Sequence, residues 1–285
     1  MATFLPSVYA FFAAAAAGCL LATVFGELRR VGTDRLTAVT LSALVATLAA
    51  AAAVVGQFGR PALLFSVFSN PGTAIFRELA SLLLALLAGA AYLAALRTGA
   101  TRRTGRKLSL LAAASGLLLA LAVGSAAVQP WRPVWNTWTL VLPTAGFAWL
   151  AGVMFAKGLG ATGHKNVGPA LRLLKKAEEK TIETASEPLW ENAKLAASAP
   201  LVGLAVYFAI ASSDASARVA LASLLTCSNA SLFWAGVIVP SVLASFLAAV
   251  FASDALKRNP VSGIVLAILA AFSAGAWQHL VLGLA

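Results

Sequence analysis

The chain is poor in the residues that most often do chemistry. Histidine occurs only at His164 and His279, and cysteine only at Cys19 and Cys227. Two thiols so far apart in sequence, with no CxxC spacing, cannot hold an iron–sulfur cluster of the usual thiolate type. They read instead as two small buried hydrophobes. A membrane b-type haem wants two axial histidines facing one another at one depth. His164 falls in a connection on one side of the predicted membrane and His279 near the other side, so this chain is expected to carry no haem. Phosphate-cradling glycine loops, zinc-ligand spacings and nucleophile triads are likewise missing. The first 26 residues contain no Lys or Arg, so the basic leading segment of a signal peptide is lacking and the first apolar run is read as a retained helix.

Negative charge is scarce as well: 10 acidic residues stand against 21 Lys and Arg, a formal charge of +11. Such a balance suggests nucleic acid in a soluble protein. Here the basic residues gather in the connections between apolar runs, which is the pattern of membrane orientation. Hydrophobic residues make up 60% of the chain, and the mean hydropathy is +0.88. Runs of about 20 apolar residues recur along its whole length, as a helix needs to cross the hydrocarbon layer. Short alternating strands of a membrane barrel are absent. The expected fold is an all-α integral membrane protein, a single polytopic domain over 1–285, with eight transmembrane helices in an antiparallel bundle.

The predicted spans are 4–26, 36–56, 73–96, 108–128, 137–156, 195–213, 231–252 and 261–283. The third begins at "SNPGT", where Asn70 is placed to cap the helix and Pro71 to take its first position. Pro240 removes a backbone donor inside the seventh span and predicts a kink there. All but four of the 21 basic residues lie in the connections after spans 1, 3, 5 and 7. Arg60, Arg77, Arg132 and Arg218 remain on the other side. By the positive-inside rule both termini are outside. The loop 157–194 is then cytoplasmic. Lys175, Lys176 and Glu179 at helical spacing predict a surface helix within it. Residues 214–230 are too apolar for a simple outer loop; they lie along the interface or lengthen the seventh helix.

Among the acidic residues only Glu78 falls inside a predicted span. Counted from Pro71 it lies about 10 Å down the third helix from the outer surface. Its neighbour Arg77 points elsewhere, because adjacent helical residues diverge by about 100°. Glu78 is read either as a structural partner of Arg60 or as a proton-handling carboxylate in an outer cleft. Gln57, the last polar group of the second span, either hydrogen-bonds a ligand carbonyl or caps its helix. Trp131, Trp135 and Trp138 around Arg132 form an aromatic belt or a stacking wall for a flat ligand. His279 shares the outer site with Glu78 or is an interfacial residue.

The stretch "FGRPALLFSVFSNPGTAIFRELASLLLALL" resembles the signature region of the membrane anchor subunits of dimethyl sulfoxide reductase-type molybdoenzymes. The matching residues are the Gly59-Arg60-Pro61 turn after the second span and the Arg77-Glu78 pair early in the third. That resemblance implies an anchor in the bacterial cytoplasmic membrane that binds and oxidises menaquinol near the outer face. Electrons would pass to an iron–sulfur (ferredoxin-like) subunit and then to a molybdopterin catalytic subunit, with no haem or cluster in the anchor. It also implies that Glu78 handles the quinol's protons; the quinol-binding set read with it is Gln57, Arg60, Arg77 and Glu78, with His279 as a substitute for a histidine the family carries. The family's histidine before the Gly-Arg-Pro turn is absent; Gln57 stands near its place and can orient a quinol hydroxyl but not take its proton. Other readings are a secondary transporter with Glu78 as coupling or substrate site, a structural tether, and the polysulfide-reductase type of eight-helix anchor.

Overall fold

A computed structural model describes residues 4–28, 32–57, 63–128, 132, 134–162, 194–226, 229–250 and 260–283. Among them every regular element is helical. In chain order these are α1 (Phe4–Leu28), α2 (Thr33–Gln57), the short α3 (Leu63–Phe68), α4 (Ala74–Arg97), α5 (Arg102–Ala126) and α6 (Val141–Thr162). They continue as α7 (Lys194–Ala211), α8 (Ala215–Thr226), α9 (Ala230–Leu232), α10 (Val239–Val250) and α11 (Pro260–Gly283). A π-helical turn, Phe233–Ile238, joins α9 to α10, so that 230–249 reads as one span. Eight helices are thus long and apolar enough to cross a membrane. The expected surface helix in the loop after α6 falls almost wholly on 163–193, outside the described residues.

The helices sort their side chains in the sense that lipid demands. On α2 the exposed face carries Leu41, Val45 and Leu48, while the buried face carries Thr40, Ala43, Thr47, Ala50 and Val54. Leucine turned outward meets acyl chains at no cost, and small residues turned inward let backbones approach. α1 is the central helix, packed on α2, α5, α6 and α11, and it is among the most enclosed spans. Its crossing with α6 is made by glycine on glycine. A Cβ on Gly18 would run into the Ala148 carbonyl, and one on Gly152 into the Gly18 backbone. Hydroxyls buried in these seams bond back to their own helices, as Thr23 does to the Leu20 carbonyl and Thr47 to that of Ala43, each at 2.7 Å. Those hydroxyl donors are thereby satisfied within the apolar interior.

One local expectation is corrected and two are filled in. α4 is capped by Thr73, whose hydroxyl accepts from the Phe76 N–H at 3.2 Å, and not by Asn70. Pro71 accordingly sits in a turn before the helix. At Pro240 the chain inserts a π-turn, in which the Val239 N–H reaches back to the Trp234 carbonyl. The extra residue per turn makes room where the proline ring would meet a carbonyl and where its N–H is missing. Residues 215–226 form a separate helix, α8. Its start is held by Asp214, which accepts from the Ser216 N–H at 2.8 Å and hydroxyl at 2.6 Å. Those bonds hold the Asp214 carboxyl below its usual range. Trp234 ties the other end down through its Nε1–H to the Leu225 carbonyl.

Candidate functional site

Because α4 starts at Ala74, Glu78 stands in its second turn, about 6 Å from the helix start at 1.5 Å per residue, shallower than counted from Pro71. Its side chain is 6% exposed, whereas Arg77 beside it is exposed, so the two diverge as helical geometry requires. Glu78 faces the bundle. Tyr9 of α1, itself buried, lies within its electrostatic reach. The depths agree, since Tyr9 is five residues into α1 and Glu78 four residues into α4. The Glu78 carboxylate forms no hydrogen bond or ion pair among the described residues. Ser81, one turn deeper, donates to the Glu78 main-chain carbonyl at 2.9 Å and leaves the carboxylate alone.

The other predicted site residues fall as follows. Gln57 ends α2 with its side chain exposed, next to Gly56, which faces Leu5 of α1. Arg60, with Phe58, Gly59 and Pro61, lies outside the described residues, as does Trp131. Phe68, between Gln57 and Glu78 in sequence, is exposed and meets Phe76 edge-on at 6.1 Å. His279 is half-buried, with Nδ1 3.0 Å from the Ser7 hydroxyl. Ser7 and Tyr9 are two residues apart on α1 and so diverge by about 200°. His279 therefore meets α1 on the side away from Glu78, and the structure does not bring the two together.

Trp135 is neither belt nor ligand wall. It is buried, stacked on Tyr207 at 6.1 Å and edge-on to Trp277 at 6.0 Å, with the Tyr207 hydroxyl donating to the Val134 carbonyl. Trp138, 70% exposed, is the tryptophan that suits a lipid headgroup region.

A carboxylate at a helix–helix seam went unnoticed in the sequence. Glu27 lies inside α1, one residue before its end, and not in a connection. Its Oε1 accepts from the Tyr92 hydroxyl of α4 at 3.2 Å, and a Cβ at Gly105 of α5 would stand 3.0 Å from the same oxygen. This pair is satisfied and joins three helices at the end opposite Glu78. The signal for it was the rarity of tyrosine: the chain has three, all buried, and one of them donates to Glu27.

A cleft of about 540 Å³ opens between α1, α5, α6 and α7. Leu21, Phe25, Leu117, Trp149, Leu195 and Val202 are among its lining, and no titratable side chain is. It offers room for hydrocarbon and nothing for proton chemistry, so Glu78 remains the candidate for such chemistry among the described residues. Among the described residues no group of three His, Cys, Asp or Glu is arranged to hold a metal. A scan against protein-family models and a search of curated proteins both find no match.

Proposed function

We propose that this chain is the membrane anchor of a molybdenum-containing oxidoreductase of the dimethyl sulfoxide reductase type, and that it oxidises menaquinol beside Glu78. The observation that carries the reading is the buried carboxylate itself. It sits near one end of a membrane-length helix, within electrostatic reach of Tyr9 and of the exposed Arg77, with no hydrogen bond or close ion pair to its carboxylate among the described residues. An ionised group so placed costs several kcal/mol unless ligand, water or partner compensates, and such groups are kept where function needs them.

Oxidation of a quinol releases two electrons and two protons. Glu78 takes the two hydroxyl protons in turn, releasing the first to outer water before accepting the second, as the two electrons leave for an iron–sulfur (ferredoxin-like) subunit, which feeds a molybdopterin subunit. Gln57, at the membrane end shared with the start of α4, orients the headgroup through its amide. Arg77 keeps the mouth of the site positive.

The eight spans alternate in direction as an antiparallel bundle in the bacterial cytoplasmic membrane, with both termini outside. Pairings of Leu5 with Gly56, of Ala17 with Gly116 and of Glu27 with Gly105 support alternate directions for α1, α2 and α5. The basic connections support the sidedness.

Purification from native membranes in mild detergent tests the reading. An anchor brings down a brown iron–sulfur polypeptide, and a quinone analogue quenches its tryptophan fluorescence. A chain that emerges alone and binds no quinone is a transporter or a tether.

A further inference from the structure

The turn from α4 into α5 gathers five cations within residues 97–107: Arg97, Arg102, Arg103, Arg106 and Lys107. All five are exposed. None of their side chains is hydrogen-bonded or ion-paired among the described residues. No neutralising neighbour stands nearby in sequence either, since no Asp or Glu occurs between Glu78 and Glu178. In the fold, Glu27 approaches α5 at Gly105, on its buried side, and is engaged there by Tyr92. The turn that carries the cations is itself fixed. Gly99, at φ 65°, ends α4; the Thr98 N–H donates to the Ala94 carbonyl at 2.9 Å and the Ala100 N–H to that of Ala95 at 3.0 Å.

Membrane orientation explains why cations stand at this end of the helices, but not how they are arranged around them. Helix electrostatics does not explain them either, because basic residues in the first turn of α5 face the positive end of its dipole. At 100° per residue, Arg102, Arg103, Arg106 and Lys107 fall in one sector of α5 about 140° wide. Gly105, Ser109, Ala112 and Gly116 lie outside that sector and are buried. Leu110, Leu117 and Leu121 lie within it and are exposed. On α4, Arg97 stands within about 80° of the exposed Leu83 and Leu87.

From Leu110 to Leu121 the helix rises about 16 Å, close to half the thickness of the hydrocarbon layer. Concentrated positive charge therefore stands over one leaflet's depth of apolar surface, on a face turned to lipid. That continuation selects a phospholipid over an acidic protein as the occupant, since a phospholipid joins a phosphate to chains of that reach. Juxtamembrane basic clusters of this size draw anionic lipids.

We propose that the lipid-facing side of α5 and the end of α4 form a binding site for an anionic phospholipid. Its phosphate lodges among the four cations of α5 and Arg97, and an acyl chain follows the leucines of α5. On the sidedness proposed above, this lipid belongs to the cytoplasmic leaflet. The site does not depend on quinol oxidation at Glu78, and either can fail without the other.

Reconstitution into phosphatidylcholine vesicles with a trace of photoactivatable phosphatidylglycerol, or of the matching phosphatidylcholine, tests the site. The reactive group is carried on the acyl chain, and peptide mapping reads adducts on residues 110–121. Labelling of the exposed Val242, Leu243 and Phe246 of α10 serves as the reference. In the wild-type protein the phosphatidylglycerol probe is expected to label 110–121 about five-fold more than the phosphatidylcholine probe, the ratio that a single cation near an anionic headgroup supplies. Equal labelling by the two probes overturns the site, and needs no variant. Joint replacement Arg102→Gln, Arg103→Gln, Arg106→Gln and Lys107→Gln is expected to bring the ratio to about one-fold. An undiminished ratio in that variant overturns the assignment of the phosphate to these side chains.

Discussion

Replacing Gly152 by alanine drives a methyl group into the α1 backbone at Gly18, where carbonyl and Cα stand within any tolerable contact of the new atom. The obstacle is main chain on both sides, so no rotamer change relieves it. α1 and α6 must move apart at their crossing, and the seams on either side lose contact with them. Overpacking of a well-filled core costs about 1–3 kcal/mol, and a main-chain obstacle places this case at the upper end. The alanine itself returns up to about 1 kcal/mol of helix propensity. Gly56→Ala isolates that gain, since its new methyl would meet only the Leu5 side chain, at 3.7 Å. Equilibrium unfolding in mixed micelles, followed by tryptophan fluorescence, gives both values. Gly152→Ala is expected to lie at least about 2 kcal/mol below Gly56→Ala. Equal stability of the two variants would refute the glycine-on-glycine crossing.

Tyr92→Phe removes the donor to Glu27 and leaves a half-buried carboxylate without it, at a cost of about 1–3 kcal/mol in the same unfolding measurement; a loss below the error of the method would mean that water already serves Glu27. Asp214 predicts an acid-dependent fraying of α8. Its folded-state pKa is lowered by the Ser216 hydrogen bonds, so its contribution is present above the unfolded value and is lost as pH falls through the folded one. Hydrogen-exchange protection of the first turn of α8 is expected to hold at neutral pH and drop below about pH 4. Asp214→Asn should abolish that pH dependence.

The spans were legible because each is a long apolar run, and length alone separates a crossing helix from a core helix. Their ends were less so. The predicted start at 108 gives way to Arg102 because a basic turn can continue a helix beyond the hydrocarbon, its long side chains reaching polar surroundings. Glu27 was missed for the same reason: a carboxylate in the last turn of a span reads as connection until Tyr92 is seen to reach it. Glu78 stood out as a charge in an apolar run, and helical geometry sufficed to turn Arg77 away from it. Tyr9 did not stand out, because which face of α1 meets α4 is decided by packing against helices distant in sequence. Trp135 misled through composition, since a tryptophan beside Arg132 near a span end resembles a belt residue; its stacking on Tyr207 depends on contacts no local pattern carries.

Menaquinol oxidation by the complex assembled with Glu78→Gln is the most direct measurement of the central claim. Glutamine keeps the shape and the burial but cannot take a proton. Turnover is expected to fall by on the order of a hundred-fold or more, with the iron–sulfur partner still bound and quinone-analogue affinity retained. Wild-type turnover in a fully assembled Glu78→Gln complex would contradict the assignment of the carboxylate as the quinol's proton acceptor.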